Sequence, residues 1–165
     1  MKRLFILFLI IMLLLGCHPV SQNRFVCASF EADLPAHFQQ VPNASILCFA
    51  PYGDPLLSSS ITFYATELNW YFDTLTEQEY EESLRHLSGY ESLTLTELRH
   101  LKIDGYDAQR ISCKVSIEQG EHDLIVYAIQ ADQAYFFTLL NRDSDSYTED
   151  FDRMMCSIDL KETKA

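Results

Sequence analysis

The chain is 165 residues long, with 12 basic residues against 24 acidic ones and a formal net charge of −12. That length fits one domain, and no long Gly/Ser/Pro linker, internal repeat or low-complexity block divides it. The charge balance opposes nucleic-acid phosphates and anionic lipid headgroups alike, so no nucleic acid is expected as a partner.

Lys2 and Arg3 precede an apolar run, Leu4–Leu15, that closes in Leu14-Leu15-Gly16-Cys17. A basic start, a short apolar core and small residues at its end describe an export signal. At about 1.5 Å per residue the run covers about 18 Å, short of the roughly 30 Å hydrocarbon core, which disfavours a permanent span. An ordinary signal would end in an Ala-x-Ala-like site, and none stands near the junction. The junction instead resembles the lipobox of bacterial lipoproteins, whose pattern is Leu-x-Gly/Ala-Cys. That resemblance implies a Cys17 lipidated on sulfur, cleavage before it, and acylation of the new terminus, for example with palmitate. It places the protein at the cell membrane or envelope, lipid-anchored on the extracytoplasmic face. Removing Lys2 and Arg3 from the 12 basic residues leaves ten against 24 acidic, a net charge of −14. With no polybasic patch, attachment must come from acyl chains, and stable anchoring takes two or more. The expected division is a lipoprotein signal peptide over 1–16, a tether over 17–24, one domain over 25–160 and a tail over 161–165.

Four further cysteines, Cys27, Cys48, Cys113 and Cys156, make an even number in an exported domain, which points to disulfides. Four allow three pairings, and the strand order below favours Cys27–Cys48 with Cys113–Cys156. Buried free thiols are the alternative. No Cys-x-x-Cys spacing supports zinc.

Along the domain, Phe25–Phe30 and Ala44–Ala50 read as strands that pair antiparallel. Pro51-Tyr52-Gly53-Asp54-Pro55 is strong turn chemistry. Ser60–Thr66 alternates, with Ile61, Phe63 and Ala65 on one face, and reads as a third strand. Thr76-x-x-Glu79 has the form of a capping box and predicts a helix over 77–87, with Gly89 suited to its stop. Leu93–Leu101 is extended, but its apolar positions slip from Leu93 and Leu95 to Leu98, predicting a bulge near Glu97. Asp104-Gly105 is a hairpin turn leading into Ala108–Ile117. There Ile111, Cys113, Val115 and Ile117 point one way, and Arg110, Ser112, Lys114 and Ser116 the other. Leu124–Ile129 and Tyr135–Leu140 are apolar on both faces, as central strands are. Ser146-x-x-Glu149 is a second capping-box pattern, and Tyr147, Phe151, Met154, Met155 and Ile158 form a helical stripe needing a sheet to lie on.

The order predicts an α+β fold, a single antiparallel sheet of about six to seven strands flanked by helices. Over about residues 25–160 the chain resembles the PsbP/Mog1-like fold. The resemblance rests on Phe30-x-x-x-Leu34-Pro35, the threonine-capped helix, Ile103-Asp104-Gly105-x-x-Ala108 and Tyr147-x-x-x-Phe151-x-x-Met154. It implies docking to a larger protein and supplies no common active site, so no functional residue is carried over.

The residues themselves offer little chemistry. Asp143-x-Asp145-x-Tyr147 begins like a calcium loop, but Thr148 stands where glycine is needed and Met154 where the bidentate glutamate should be. Acids at a helix N-terminus explain the stretch better. His18, His37, His86, His100 and His122 show no metal-ligand spacing, and no Gly-x-Ser-x-Gly elbow exists. No cofactor, metal or catalytic residue is therefore assigned, and the expectation is that the protein is not an enzyme. Trp70, Tyr71 and Phe72 lie in a connection, where aromatics anchor a partner or fold back over a sheet edge. These observations lead to an envelope-held, non-catalytic binding or accessory module with a protein partner, marked by Trp70, Tyr71 and Phe72. The alternative is a small-molecule or ion carrier with a pocket between sheet and helices.

Overall fold

Strands dominate between Arg24 and Leu160, and they collect into two antiparallel sheets. The computed structural model describes residues 23–51, 58–67, 76, 78–79, 81–82, 84, 90, 92–117, 120–142 and 146–161. The larger sheet has seven strands: β3 (Phe38–Gln40), β4 (Leu47–Pro51), β5 (Ser60–Thr66), β6 (Ser92–Ile103), β7 (Tyr106–Ile117), β8 (Gly120–Gln130) and β9 (Ala134–Asn141). They lie in the order β3-β4-β5-β9-β8-β7-β6. The smaller sheet joins β1 (Arg24–Val26), β2 (Phe30–Asp33) and β10 (Asp159–Leu160) in the order β1-β2-β10. One helix, α1 (Thr148–Cys156), packs on the larger sheet, and residues 78–79, 81–82 and 84 are also helical.

The small sheet corrects the expectation of a single one. Residues 25–30 do not form one strand beside β4. The chain turns at Cys27, whose amide donates to the Phe30 carbonyl at 3.0 Å, and runs back as β2. Contact with β4 is face to face instead. The Phe25 ring meets Phe49 edge-on at 4.8 Å, and Phe30 meets Phe137 at 5.0 Å. Rings this large bury more area stacked between two layers than along one edge. β4 then pairs with β3 and β5.

Two cores lie on the two faces of the larger sheet. One joins Ile61, Tyr127, Ile129, Phe137 and Leu139 to Phe30 and Ala32 of the small sheet and to Phe151, Met154 and Met155 of α1. The other contains Leu93, Ile111, Cys113, Val115, Leu124, Val126 and Phe136, with Leu84 packed among them. Strand alternation delivers both at once: β7 and β8 send odd and even residues to opposite sides. β8 and β9 are central and apolar on both faces, as their sequences required.

The turn and bulge chemistry holds. Asp104 (φ 50°) and Gly105 (φ 84°) both take left-handed backbone, as a type I′ hairpin between β6 and β7 demands. Asp104 Oδ2 also accepts the Leu160 amide at 2.8 Å, tying the hairpin tip to β10. The β6–β7 register shifts between Leu95 and Glu97.

The two capping boxes part company. The first forms: the Thr76 amide donates to Glu79 Oε2 at 2.7 Å, and the Glu79 amide to Thr76 Oγ1 at 3.3 Å. At α1 the box does not form, because Tyr147 takes the cap position and moves Glu149 one residue too early to reach back. Glu149 and Asp150 instead meet the helix dipole in the first turn, and Arg153 meets it in the last. The stripe of Phe151, Met154, Met155 and Ile158 is buried as its spacing predicts.

Candidate functional site

Cys17, Trp70, Tyr71 and Phe72 lie outside the described residues, as do Asp143 and Asp145 of the calcium-like stretch. Of the remaining acids of that stretch, Asp150 pairs with Arg153 at 3.0 Å, Asp152 pairs with Arg110 at 3.0 Å, and Glu149 lies in the first turn of α1. Among the described residues, no three His, Cys, Asp or Glu side chains gather to hold a metal ion. Of the histidines, His37 and His100 are exposed, and His122 has a buried Nε2 without a hydrogen-bond partner.

The expected disulfides are corrected: Cys27, Cys48, Cys113 and Cys156 are all free thiols. In both proposed pairs the large sheet lies between the sulfurs. Cys27 packs on the α1-side core, whereas Cys48 alternates with Phe49 of that core and points to the other face. Cys113 belongs to the second core, whereas Cys156 sits exposed on α1. A disulfide needs Cβ atoms about 3.5–4.5 Å apart, which a sheet between them forbids. Burial pushes the Cys113 thiol up to about 12, helped by the Glu81 charge, so it does not supply a thiolate nucleophile.

The polar constellation the structure does assemble lies on the α1 side of β6, β7 and β8. Its centre is Arg110 of β7, whose side chain is 11% exposed. Nε and one Nη of Arg110 donate to the two carboxylate oxygens of Asp152 on α1, at 3.0 and 3.2 Å. The other Nη donates to Ser112 Oγ at 2.7 Å and to Glu97 Oε2 at 3.2 Å. The Tyr127 hydroxyl donates to Asp152 Oδ1 at 2.8 Å, and its ring lies under the guanidinium at 5.9 Å. Each member is placed by a local device. The bulge after Leu95 turns Glu97 toward the α1 face, alternation puts Arg110 and Ser112 there, and α1 presents Asp152 beside buried Phe151.

Burial disfavours the Arg110 cation, but the hydrogen bonds and charge of Asp152 outweigh it and hold the guanidinium above its ordinary value. Burial, followed by the bond to Asp152, raises the Tyr127 phenol well above its usual range. Next to this clamp Lys114 pairs with Asp123 at 2.7 Å. Between them opens a cleft of 240 Å³ lined by Glu97, Arg110, Ser112, Asp123 and Thr148. Its polar lining offers hydrogen bonding: the Ser112 hydroxyl accepts from the Arg110 guanidinium and lies across the ladder from Glu97. Strand alternation places Arg110 and Ser112 on the polar face of β7 and does not by itself mark them as a site. The available signal is an arginine on the strand beside the apolar β8, matched by an aspartate next to the apolar stripe of a helix.

No protein-family model matches the chain, and no curated protein matches it. Solved structures do. The chain is similar to cyanobacterial PsbP (CyanoP) from Synechocystis, with a TM-score of 0.63 at 14% identity over 88% of this chain and 98% of that one. It is similar to LpqN, involved in cell envelope biogenesis of Mycobacterium tuberculosis, with a TM-score of 0.55 at 10% identity over 80% and 83% of the two chains. A Bacteroides thetaiotaomicron protein gives a TM-score of 0.58 at 9% identity, over 88% of this chain and 51% of its own length. The fold is therefore PsbP-like: a predominantly antiparallel seven-stranded sheet, a three-stranded sheet and α1. Among the described residues no helix is long and apolar enough to cross a membrane.

Proposed function

We propose that the protein is a lipid-anchored envelope protein acting as a non-catalytic binding or accessory module that docks to another envelope component. The observation that carries this reading is the Leu14-Leu15-Gly16-Cys17 junction at the head of a PsbP-like domain. Similarity of fold to LpqN, an envelope-biogenesis protein, supports the location. The Arg110 clamp supports the non-catalytic part, because Arg110 binds Asp152, Glu97 and Ser112 together and fixes α1 to the sheet. Trp70, Tyr71 and Phe72 are proposed as the aromatic anchor for the partner, in the manner of interface hot spots. The test is cross-linking in native membranes followed by mass spectrometry of Cys17. A diacylated or triacylated Cys17, and a reproducible partner lost on Trp70→Ala, are expected. An unmodified terminus, or a partner indifferent to Trp70→Ala, overturns the respective half of the reading.

The cleft between Glu97, Arg110 and Thr148 favours a second reading, a carrier of a small polar ligand. Its 240 Å³ lies below the roughly 300–1,000 Å³ of drug-sized sites, which restricts it to ions and small metabolites. A metabolite and metal panel that raises the thermal midpoint of the wild type but not of Arg110→Met would support it. No shift with any compound removes it.

A further inference from the structure

We infer that the β3 end of the molecule rests against the bilayer and the β6 end faces away from it, which builds on the proposed anchor at Cys17. The first observation is where the tether meets the domain. Asn23 Nδ2 donates to the carbonyls of Pro35 at 2.8 Å and Phe38 at 3.1 Å, and the Asn23 carbonyl accepts the Leu34 amide at 3.0 Å. Asn23 is thus fixed to β3, which is an edge strand. From Cys17 to Asn23 there are six peptide steps, a reach of about 20 Å at full extension. β6, at the opposite edge, stands six strand spacings from β3, or about 29 Å. A lipid on Cys17 holds the β3 edge near the surface and leaves β6 free to lie farther out.

The second observation is charge. In a chain with 24 acidic residues, Leu34–Gly53 contains no Asp, Glu, Lys or Arg, and no longer such run follows Cys17. It includes β3 and the β3–β4 connection, and it exposes Gln39, Gln40, Pro42, Asn43, Ser45 and Ile46. Ile46 is 50% exposed and Val26, on neighbouring β1, 56%, the two most exposed large hydrophobic side chains among the described residues. On the small sheet Arg24 pairs with Glu31 and Asp33 and Lys161 with Glu31, so two cations offset two of its three acids, Asp159 being the third.

A bilayer with anionic headgroups repels the acidic remainder of the domain over about one Debye length, some 8–10 Å. The neutral face escapes that repulsion, keeps its polar groups hydrated by amides and hydroxyls, and offers Ile46 to the interface. Tethering makes the contact intramolecular, so a weak preference is enough to set orientation. The consequence is that the Glu97–Arg110 cleft and the β6 edge are presented outward, where a soluble partner or ligand reaches them.

The experiment uses the full lipidated protein in vesicles of phosphatidylethanolamine and phosphatidylglycerol. A photoreactive phenylalanine is placed in turn at Gln40 and at Arg99, both exposed, and lipid adducts are counted by mass spectrometry after irradiation. Adducts at Gln40 are expected to exceed those at Arg99 several-fold, and Ile46→Glu is expected to level the two. Equal yields, a higher yield at Arg99, or a gradient unchanged by Ile46→Glu overturns the orientation, as does a gradient appearing only when a second protein is added. The mass of the Cys17 peptide is read from the same digest. An unlipidated Cys17 refutes the anchor itself, whereas a lipidated Cys17 with equal adducts refutes the orientation alone.

Discussion

The two edges of the seven-stranded sheet solve one problem in different ways. β3 is three residues long and uncharged, and Phe38 pins it down, 1% exposed and edge-on to Tyr147 at 5.1 Å. β6 is 12 residues long, bulged, and lined by Glu97, Arg99 and Lys102. Where its ladder is interrupted, the Leu95 amide is capped by Glu81 Oε1 at 2.7 Å. Brevity protects the first edge from pairing with other chains, and charge with a bulge protects the second. The difference matters for function, because brevity leaves a neutral surface while the bulge and its charges create the polar cleft.

The largest expected effect comes from removing the pin of the short edge. Phe38→Ala should cost about 3–5 kcal/mol in urea unfolding, since a fully buried ring is lost and Tyr147 and the surrounding core close over the gap imperfectly. A cost below about 1 kcal/mol would mean that the edge is held by its hydrogen bonds instead. At the other end, Arg110→Ala should cost about 2–3 kcal/mol by leaving Asp152 and Tyr127 without their cationic partner. Combined with Asp152→Asn, the loss should be clearly less than additive, because the two side chains form one unit. Additive losses would dissolve the clamp as a unit. Glu81→Ala comes third, at about 1 kcal/mol, with one hydrogen bond removed. It should also make the protein associate with rising concentration in sedimentation velocity, as the uncapped amide reopens the long edge. An unchanged sedimentation profile would show that the charges protect β6 without Glu81.

Local rules accounted for what lies within one strand or helix. The slip from Leu95 to Leu98 foretold the bulge, Asp104-Gly105 the hairpin, and the Phe151, Met154, Met155 spacing the buried face of α1. The PsbP-like fold is legible in the Phe30–Pro35 segment, the Thr76-capped helix, the Ile103–Ala108 turn and the closing helical stripe taken together. Layering was not legible. Phe25 and Phe49 carry the same apolar signal whether two strands pair side by side or stack face to face, so β1 and β2 were assigned to the wrong sheet and the cysteines to impossible partners. The clamp was missed for a related reason. Alternation shows that Arg110 and Ser112 share a face, but only the arrival of α1, with Asp152 42 residues after Arg110, shows that the face is covered there.

The smallest effect returns to the helical residues beside β6, and it is a matter of pH. The Thr76 amide and then its hydroxyl hold the Glu79 carboxyl below its ordinary value of 4.5. Lys161 does the same for Glu31 on the small sheet, with Arg24 adding to it. A carboxyl with a depressed folded-state value contributes stability above its unfolded value, and that contribution is lost as pH falls through the folded one. Unfolding midpoints should therefore stay level from neutral pH down to about 4.5 and drop below it. Glu79→Gln should lower the midpoint slightly at neutral pH and make the acid drop shallower, because the amide retains an acceptor but no charge to titrate. Both groups are exposed, so the shift is small and is best read as a difference between parallel titrations. If Glu79→Gln and the parent protein lost stability in parallel down to the lowest pH, the capping box would owe nothing to its ionised carboxylate, and Glu81 alone would secure this segment to the bulged edge.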